Sequence, residues 1–274
     1  MRWNELIPES AWVVQDLLTK DECEHFVLRA KSLGIQDKTA TGDVRHRNST
    51  TVCLDDKEMA DRIFDRIRNQ IPQEIVIDEH YQNPGLVTKN NQLYGKWKPC
   101  GLNFRWRLVC YPGEGHFGPH RDGYYEVDEH HRSFITINGF LTDRPPGFGG
   151  ATRFVKDEID AVLNDDGIFS TSESDVLHRV EAEQAGTASV FFHDLMHDGE
   201  PLKTGSPPKW LFRTEIMYQR DPKSAPTLTK TEVEARQFLG LAEESESNGE
   251  INKAILLYNR AYRLDPRLED QQYG

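Results

Sequence analysis

The run Tyr111-Pro-Gly-Glu-Gly-His-Phe-Gly-Pro-His120-Arg-Asp122 sets an imidazole and a carboxylate two positions apart. On an extended segment, residues two apart face the same way, so His120 and Asp122 can converge on one ion. A His-x-Asp pair is a weak signal by itself, because it recurs by chance. An imidazole from elsewhere in the chain would complete the arrangement of two histidines and one carboxylate that leaves positions open on ferrous iron. Candidates for it cluster in Phe191-Phe192-His193-Asp194-Leu195-Met196-His197-Asp198-Gly199-Glu200-Pro201. His197 stands near a glycine and opens a loop, and it is preferred. His193 lies nearer a strand interior and reads more easily as a hydrogen-bonded structural histidine. His116 is expected to be a loop histidine without a metal role, and His130 and His131, in an acidic stretch, to be solvated.

The elements that must hold these residues are short strands. Between about 100 and 220 the segments Leu102–Tyr111, Ser133–Leu141, Gly150–Val155, Ala188–His193 and Trp210–Tyr218 read as strands, separated by PGEG, RPPGFGG and TGSPP. Many short strands at this spacing predict a jelly roll or barrel. Ahead of them, Ala11–Leu17 reads as a short strand. Thr19 and Glu22 stand in capping-box spacing, followed by Cys23, Phe26, Val27 and Ala30 on one helical face, with Gly34 closing the helix. A second helix is predicted from about Asp56 to Gln70, burying Met59, Ile63, Phe64 and Ile67, with Pro72 beyond its end. The expected architecture is therefore α+β, helices packed outside an antiparallel double sheet.

In the first of the core strands, Phe104, Trp106, Leu108 and Cys110 form an apolar face; Asn103, Arg105, Arg107, Val109 and Tyr111 form the other. A polar face running into the His120 loop predicts a lined cavity. Arg105 and Arg107 could hold an acidic substrate or pair with exposed carboxylates.

The chain has 274 residues, 37% hydrophobic and 28% charged, with a net charge of −12. This balance is ordinary for a globular protein. The acidic excess argues against general nucleic-acid affinity, which depends on Lys and Arg neutralising phosphates. No apolar run is long enough to predict a membrane span, and MRWNELIPES lacks the apolar core of a secretory signal. Cys23, Cys53, Cys100 and Cys110 have no CxxC spacing, so neither a zinc ribbon nor a disulfide framework is expected. A reducing cytoplasmic or nuclear location fits best.

Three blocks acquire meaning together: Tyr111-Pro-Gly with Phe117-x-x-His120-x-Asp122; Phe148-Gly149-Gly150-Ala151-Thr152-x-Phe154; and His197-x-Gly199-x-Pro201 with Gly205, Lys209-Trp210 and Arg213. In order and spacing they resemble the prolyl 4-hydroxylase-like family of 2-oxoglutarate- and iron(II)-dependent dioxygenases. The resemblance covers about residues 10 to 220. After Asp221 a polar linker leads to a tail, about 229–268, that resembles a single tetratricopeptide repeat. Phe238, Leu241, Ala242, Ala254, Tyr258, Ala261 and Pro266 sit at that repeat's packing positions, and Ser245 departs from it where a large aromatic is usual. The predicted organisation is a dioxygenase domain at 1–221 (helical support 1–99, β core 100–220), then a linker and helical hairpin at 222–274.

The resemblance implies a double-stranded β-helix in which the glycine pair lets the backbone turn tightly. It implies Fe(2+) at His120, Asp122 and His197, with 2-oxoglutarate as cosubstrate, O2, and ascorbate as reductant. The implied reaction hydroxylates a C–H bond and releases succinate and CO2. Retention of Asp122 favours hydroxylation over halogenation, since halogenases of this fold lack that carboxylate. Lys209 is the first choice to hold the distal carboxylate of 2-oxoglutarate. The loop before it is about two residues longer than the common family pattern, so Arg213 stays open as a forked alternative on the same strand face. Tyr111 matches a tyrosine bordering cosubstrate or substrate. Asn138 takes a usually aliphatic position and could contact either, or lie at a strand edge; Gly139 is expected to leave room beside it. The implied substrate is a protein side chain, proline first, with a small molecule as the alternative. A demethylase acting on nucleic acid ranks third. In a different class, the chain would be a non-catalytic module recruiting a protein partner through the hairpin.

Overall fold

Thr19 opens the first helix with the reciprocal hydrogen bonds its spacing predicts. Its hydroxyl accepts from the Glu22 amide, and the Glu22 carboxylate accepts from the Thr19 amide. The helix, α1, runs Lys20–Ser32 and buries Cys23, Phe26 and Ala30, with Val27 only partly covered. The second, α2, runs Lys57–Ile67 behind an Asp56 cap and buries Met59, Ala60, Ile63 and Ile67. Phe64 is only partly buried. The computed structural model describes residues 1–35, 43–86, 91–158, 162–164 and 166–271.

The chain separates into two units. The first comprises 1–75, 82–87 and 97–220, and the second 76–81, 88–96 and 221–274. In the first unit the strands that frame the core are, in chain order, β1 (Arg2–Ile7), β2 (Ala11–Gln15), β3 (Arg47–Asn48), β4 (Thr50–Asp55), β5 (Arg105–Tyr111) and β6 (His116–His120). There follow β7 (His131–Phe140), β8 (Thr152–Val155), β9 (Val176–Val180), β10 (Ala188–Phe192), β11 (His197–Gly199) and β12 (Lys209–Arg220). The large antiparallel sheet runs β1-β2-β10-β7-β12-β5-β4, and the smaller one β9-β8-β11-β6-β3. Two such sheets facing each other make the expected double-stranded β-helix, in an α+β chain.

Three local expectations are corrected. The region 1–99 is not only helical support, because β1 and β2 extend the large sheet, β4 adds its far edge, and β3 joins the small sheet. The predicted strand Leu102–Tyr111 is interrupted at Asn103, whose side-chain oxygen accepts the Arg105 amide at 3.0 Å and breaks the ladder. Consequently Phe104 is 46% exposed, while Trp106 and Leu108 are fully buried. Gly139 leaves no empty room: the Phe212 ring occupies it, and a Cβ there would stand 2.2 Å from a ring carbon.

The glycine pair has a second use besides turning. Gly149 and Gly150 have φ of 72° and 90°, in the left-handed region that favours glycine. A Cβ on Gly150 would meet Leu202 at 2.6 Å and the Lys209 stem at 3.2 Å. The turn therefore clears the path along which Lys209 enters the fold.

In the second unit, α3 (Lys230–Ser247) and α4 (Ile251–Leu264) form a helix pair, with Thr229 and Glu232 closing a capping box. Ala235, Ala242, Ala254, Ala261 and the exceptional Ser245 are buried, so small residues carry the contact. Leu241, expected at a packing position, is 49% exposed.

Because Phe212 stacks with Phe26 and meets Trp106 edge-on, it has little freedom to yield to a larger neighbour. Gly139→Ala is expected to cost about 1–3 kcal/mol, read by chemical denaturation as a lower midpoint with an unchanged slope.

Candidate metal centre

β6 and β11 are antiparallel neighbours in which His120 and His197 are direct register partners. Pairing alone therefore brings together two imidazoles 77 positions apart in the chain. Asp122 lies just past the end of β6, where its amide donates to the His193 carbonyl at 2.9 Å. One donor atom from each of His120, Asp122 and His197 lies within 4.8 Å of the others. His120 Nε2 is 3.8 Å from Asp122 Oδ1, and His197 Nε2 is 3.7 Å from Oδ2.

Hydrogen bonding prepares these atoms for a cation. Nδ1 of His120 faces the Gly118 carbonyl at 2.8 Å, and Nδ1 of His197 faces the Leu195 carbonyl at 2.9 Å. A carbonyl only accepts, so each Nδ1 must carry the proton, leaving an Nε2 lone pair free for a metal. His197 Nε2 and Asp122 Oδ2 are buried and have no hydrogen-bond partner among the described residues. Orphaned buried acceptors are costly, and a shared divalent ion is the chemistry that satisfies them.

Aromatic packing fixes both rings: Phe117 stacks on His120 at 3.6 Å, and Phe191 meets His197 edge-on at 4.7 Å. Burial, reinforced by His197, pushes His120 down to about 3. Burial alone would raise the Asp122 carboxyl, but Arg213 and the two imidazoles outweigh it and hold it at about 2. At neutral pH the centre thus offers a neutral His120 and an anionic carboxylate, the forms a metal requires.

A cavity of about 400 Å³ opens over the ligands. Its large-sheet wall is organised in cross-strand rows. Asn138, Arg213, Arg107 and Cys53 are successive partners across β7, β12, β5 and β4. One row over are Leu211, Val109 and Thr51, and beyond them Lys209 and Tyr111, all lining the cavity. The alternating face predicted for 209, 211 and 213 is the one that faces inward.

Lys209 and Arg213 occupy different stations. At about 3.3 Å per residue they are about 13 Å apart along β12. Lys209 is 1% exposed; its ammonium donates to the Gly150 carbonyl at 2.9 Å and lies 4.2 Å from the centre of the Tyr111 ring. Burial, with Arg144 adding repulsion, lowers it to about 7. No carboxylate is paired with it among the described residues. Arg213 is instead committed: it meets Asp122 Oδ1 at 3.2 Å and Glu215 at 3.3 Å, and donates to the Gly123 carbonyl at 2.8 Å. The fork expected to grip a cosubstrate is turned onto the metal-ligand carboxylate.

Tyr111 lines the cavity, and burial raises its hydroxyl to about 12. Asn138 also faces the cavity, from the central strand β7 rather than a strand edge. Arg107 lines the wall but is ion-paired with the buried Glu215. Arg105 is exposed, does not line the cavity, and is the cross-strand partner of Asp55. His193 is buried outside the trio, contributing its carbonyl to Asp122. His116 is not a loop residue; it begins β6, 3% exposed, with a ring nitrogen against the Arg45 carbonyl at 3.1 Å. His130 and His131 are half-buried rather than solvated, the first accepting from Arg220 at 3.0 Å.

Sequence reasoning missed Arg47, Ser49, Thr51 and Cys53, which line the cavity from the segment that carries β3 and β4. The alternation in Thr50-Thr-Val-Cys-Leu-Asp55, rich in β-branched residues, was the available signal. Asp198, also missed, lines the cavity beside His197 and is gripped by both arms of Arg153, at 2.7 and 2.5 Å.

No family model matches the chain, and no curated protein matches it significantly. Among solved structures, a viral collagen prolyl hydroxylase from Paramecium bursaria Chlorella virus-1, in complex with 2-oxoglutarate, is similar at 15% identity. The overlap covers 77% of this chain and 96% of that one, with a TM-score of 0.45. A Pseudomonas putida prolyl-4-hydroxylase is similar at 14% identity, 77% and 93% coverage and a TM-score of 0.45. A Trichoplax adhaerens prolyl hydroxylase bound to a hypoxia-inducible-factor peptide is similar at 11% identity, 80% and 86% coverage and a TM-score of 0.46. Overlaps of this size do not assign an activity.

Metal titration separates the two histidine candidates. The wild type is expected to bind one Fe(II), or Co(II) as a stable probe. His197→Ala and Asp122→Ala should each weaken binding by roughly 100-fold or more, since even outer partners of a ligand are worth 10–100-fold. His193→Ala should retain the stoichiometric ion.

Proposed function

We propose that this protein is an Fe(II)- and 2-oxoglutarate-dependent oxygenase that hydroxylates a C–H bond. One observation carries the reading: the cavity that holds three convergent metal donors, two of them orphaned among the described residues, also holds a buried ammonium with no carboxylate partner among those residues. A ferrous ion bound with 2-oxoglutarate would supply O2-driven oxidation, one oxygen atom going into the substrate and the other into succinate, with loss of CO2. Iron softness and geometry suit this ligand set, which keeps positions open.

The chain's own residues prepare that chemistry. His120 and His197 present Nε2 because their Nδ1 protons are taken by carbonyls. Arg213 occupies Asp122 Oδ1, which leaves the orphaned Oδ2 as the metal-facing oxygen. Lys209 supplies the counter-charge for the distal carboxylate, and Tyr111 closes the wall beside it. Phe117 and Phe191 pack against the imidazoles and keep water from their flanks. The first substrate to test is a prolyl side chain of a protein, the reading supported by the three sequence blocks.

An anaerobic titration of Fe(II) and 2-oxoglutarate tests the assignment. A weak visible charge-transfer band should appear only when both are present, and substrate-dependent succinate release should follow on admitting air. Survey of a peptide and metabolite panel by that release separates a protein substrate from a small molecule. Failure to take up iron would favour a non-catalytic binding module.

Lys209 imposes a pH dependence with a defined sign. Its ammonium must be charged to hold a carboxylate, and in the free protein it titrates near 7. Affinity for 2-oxoglutarate should be flat below that pH with respect to this group. Above it, the dissociation constant should rise by up to about tenfold per pH unit as binding has to restore the proton. Calorimetry in buffers of different ionisation enthalpy should show proton uptake. Lys209→Met should lose affinity by about 10–100-fold, the scale of a charged hydrogen bond, together with the pH dependence.

A further inference from the structure

Four cations line the cavity: Arg47, Arg107, Lys209 and Arg213. Arg107 and Arg213 are both paired with the buried Glu215, and Arg213 also with Asp122. Lys209, on the reading above, meets the distal carboxylate of 2-oxoglutarate. Arg47 has no such counterpart among the described residues. Its Nε donates to Ser49 Oγ at 2.7 Å and one Nη to Thr51 Oγ1 at 3.0 Å. The guanidinium carbon lies 4.5 Å from the centre of the Phe117 ring. Among the described residues its side-chain contacts are thus two hydroxyls and an aromatic face, all uncharged.

We infer that Arg47 is the receptor for a carboxylate on the substrate, so that the oxidised carbon belongs to an acid or lies beside an acidic side chain. This rests on the oxygenase reading and deepens it. A guanidinium carries five N–H donors in a planar fork, and the two hydroxyls hold that fork in place while leaving donors free. A carboxylate matches the remaining geometry better than a single neutral acceptor does. Phe117 links the two stations, since the ring that meets Arg47 also stacks on His120. An acid group docked on Arg47 would therefore stand about one aromatic ring away from a metal-bearing imidazole, leaving a short span for the carbon to be oxidised. The chain's net charge of −12 repels acids at long range, so recognition of one demands a local cation of this kind.

The test uses the full chain loaded with Zn(II), which is redox-inert, and saturating 2-oxoglutarate. Ligand-observed NMR screens matched pairs in two arms: small carboxylic acids against their primary amides, and prolyl peptides with Glu or Asp against the same peptides with Gln or Asn. Acids should be enriched among binders in at least one arm, and that arm identifies a free acid or a peptide as the source of the carboxylate. The preference, about tenfold or more, should vanish in Arg47→Gln while affinity for 2-oxoglutarate stays unchanged. The absence of any acid preference, or its persistence in Arg47→Gln, overturns the inference. Equal loss of 2-oxoglutarate binding in Arg47→Gln also overturns it, by assigning Arg47 to the cosubstrate. If the wild type binds no 2-oxoglutarate at all, the oxygenase reading itself fails, which the Zn(II)-loaded control shows before any acid is added.

Discussion

The structure depends on one constraint: three metal-type donors are held together at one cavity, and two of their atoms, His197 Nε2 and Asp122 Oδ2, have no other partner among the described residues. The register of β11 on β6 sets His120 opposite His197. A slip of one residue in β11 would turn His197 to the other face of the small sheet, away from His120. Asp122 reaches the same point from the end of β6, its amide tied to His193 and one oxygen tied to Arg213. Arg213 and the imidazoles offset the burial of the Asp122 carboxylate, but Oδ2 and His197 Nε2 stay unpaired among the described residues, a residual cost that a divalent cation would relieve.

Around this centre the large sheet works as a charge register. Residues two apart on one strand, and partners across neighbouring strands, present a grid to the cavity. The row Asn138, Arg213, Arg107 and Cys53 lies on one side and Lys209 with Tyr111 on the other. Glu215, fully buried and also bonded to Asn103, pairs with both guanidinium groups, and Asp122 adds the second negative charge at Arg213. Electroneutrality is thus reached for two of the wall's arginines. Two cations are left for ligands to meet.

Much of this was legible in the residues. The two-residue spacing of His120 and Asp122, the inward face of 209, 211 and 213, and the glycine pair all follow from strand periodicity and backbone freedom. Capping chemistry located α1 to within two residues. What was not legible depended on partners distant in sequence. Arg213 looked like an anion clamp because nothing local shows that Asp122 and Glu215 will claim it. Gly139 looked like empty space because the ring that fills it, Phe212, comes from a strand 73 positions away. Arg47 sits in a strand of two residues, too short for any periodic signal, and only its pairing with β6 brings it to the cavity rim. The hairpin's small-residue contact was foreseeable from its alanines, whereas the exposure of Leu241 was not.

The central claim is that His120, Asp122 and His197 share one ion with a keto acid whose far carboxylate reaches Lys209. A crystal structure grown anaerobically with Mn(II) and 2-oxoglutarate measures this directly. The account predicts a single ion on those three side chains, chelated by the keto acid, with the distal carboxylate on the Lys209 ammonium. An ion bound elsewhere, or an acid whose distal end is held by another cation while Lys209 stays bare, would contradict it.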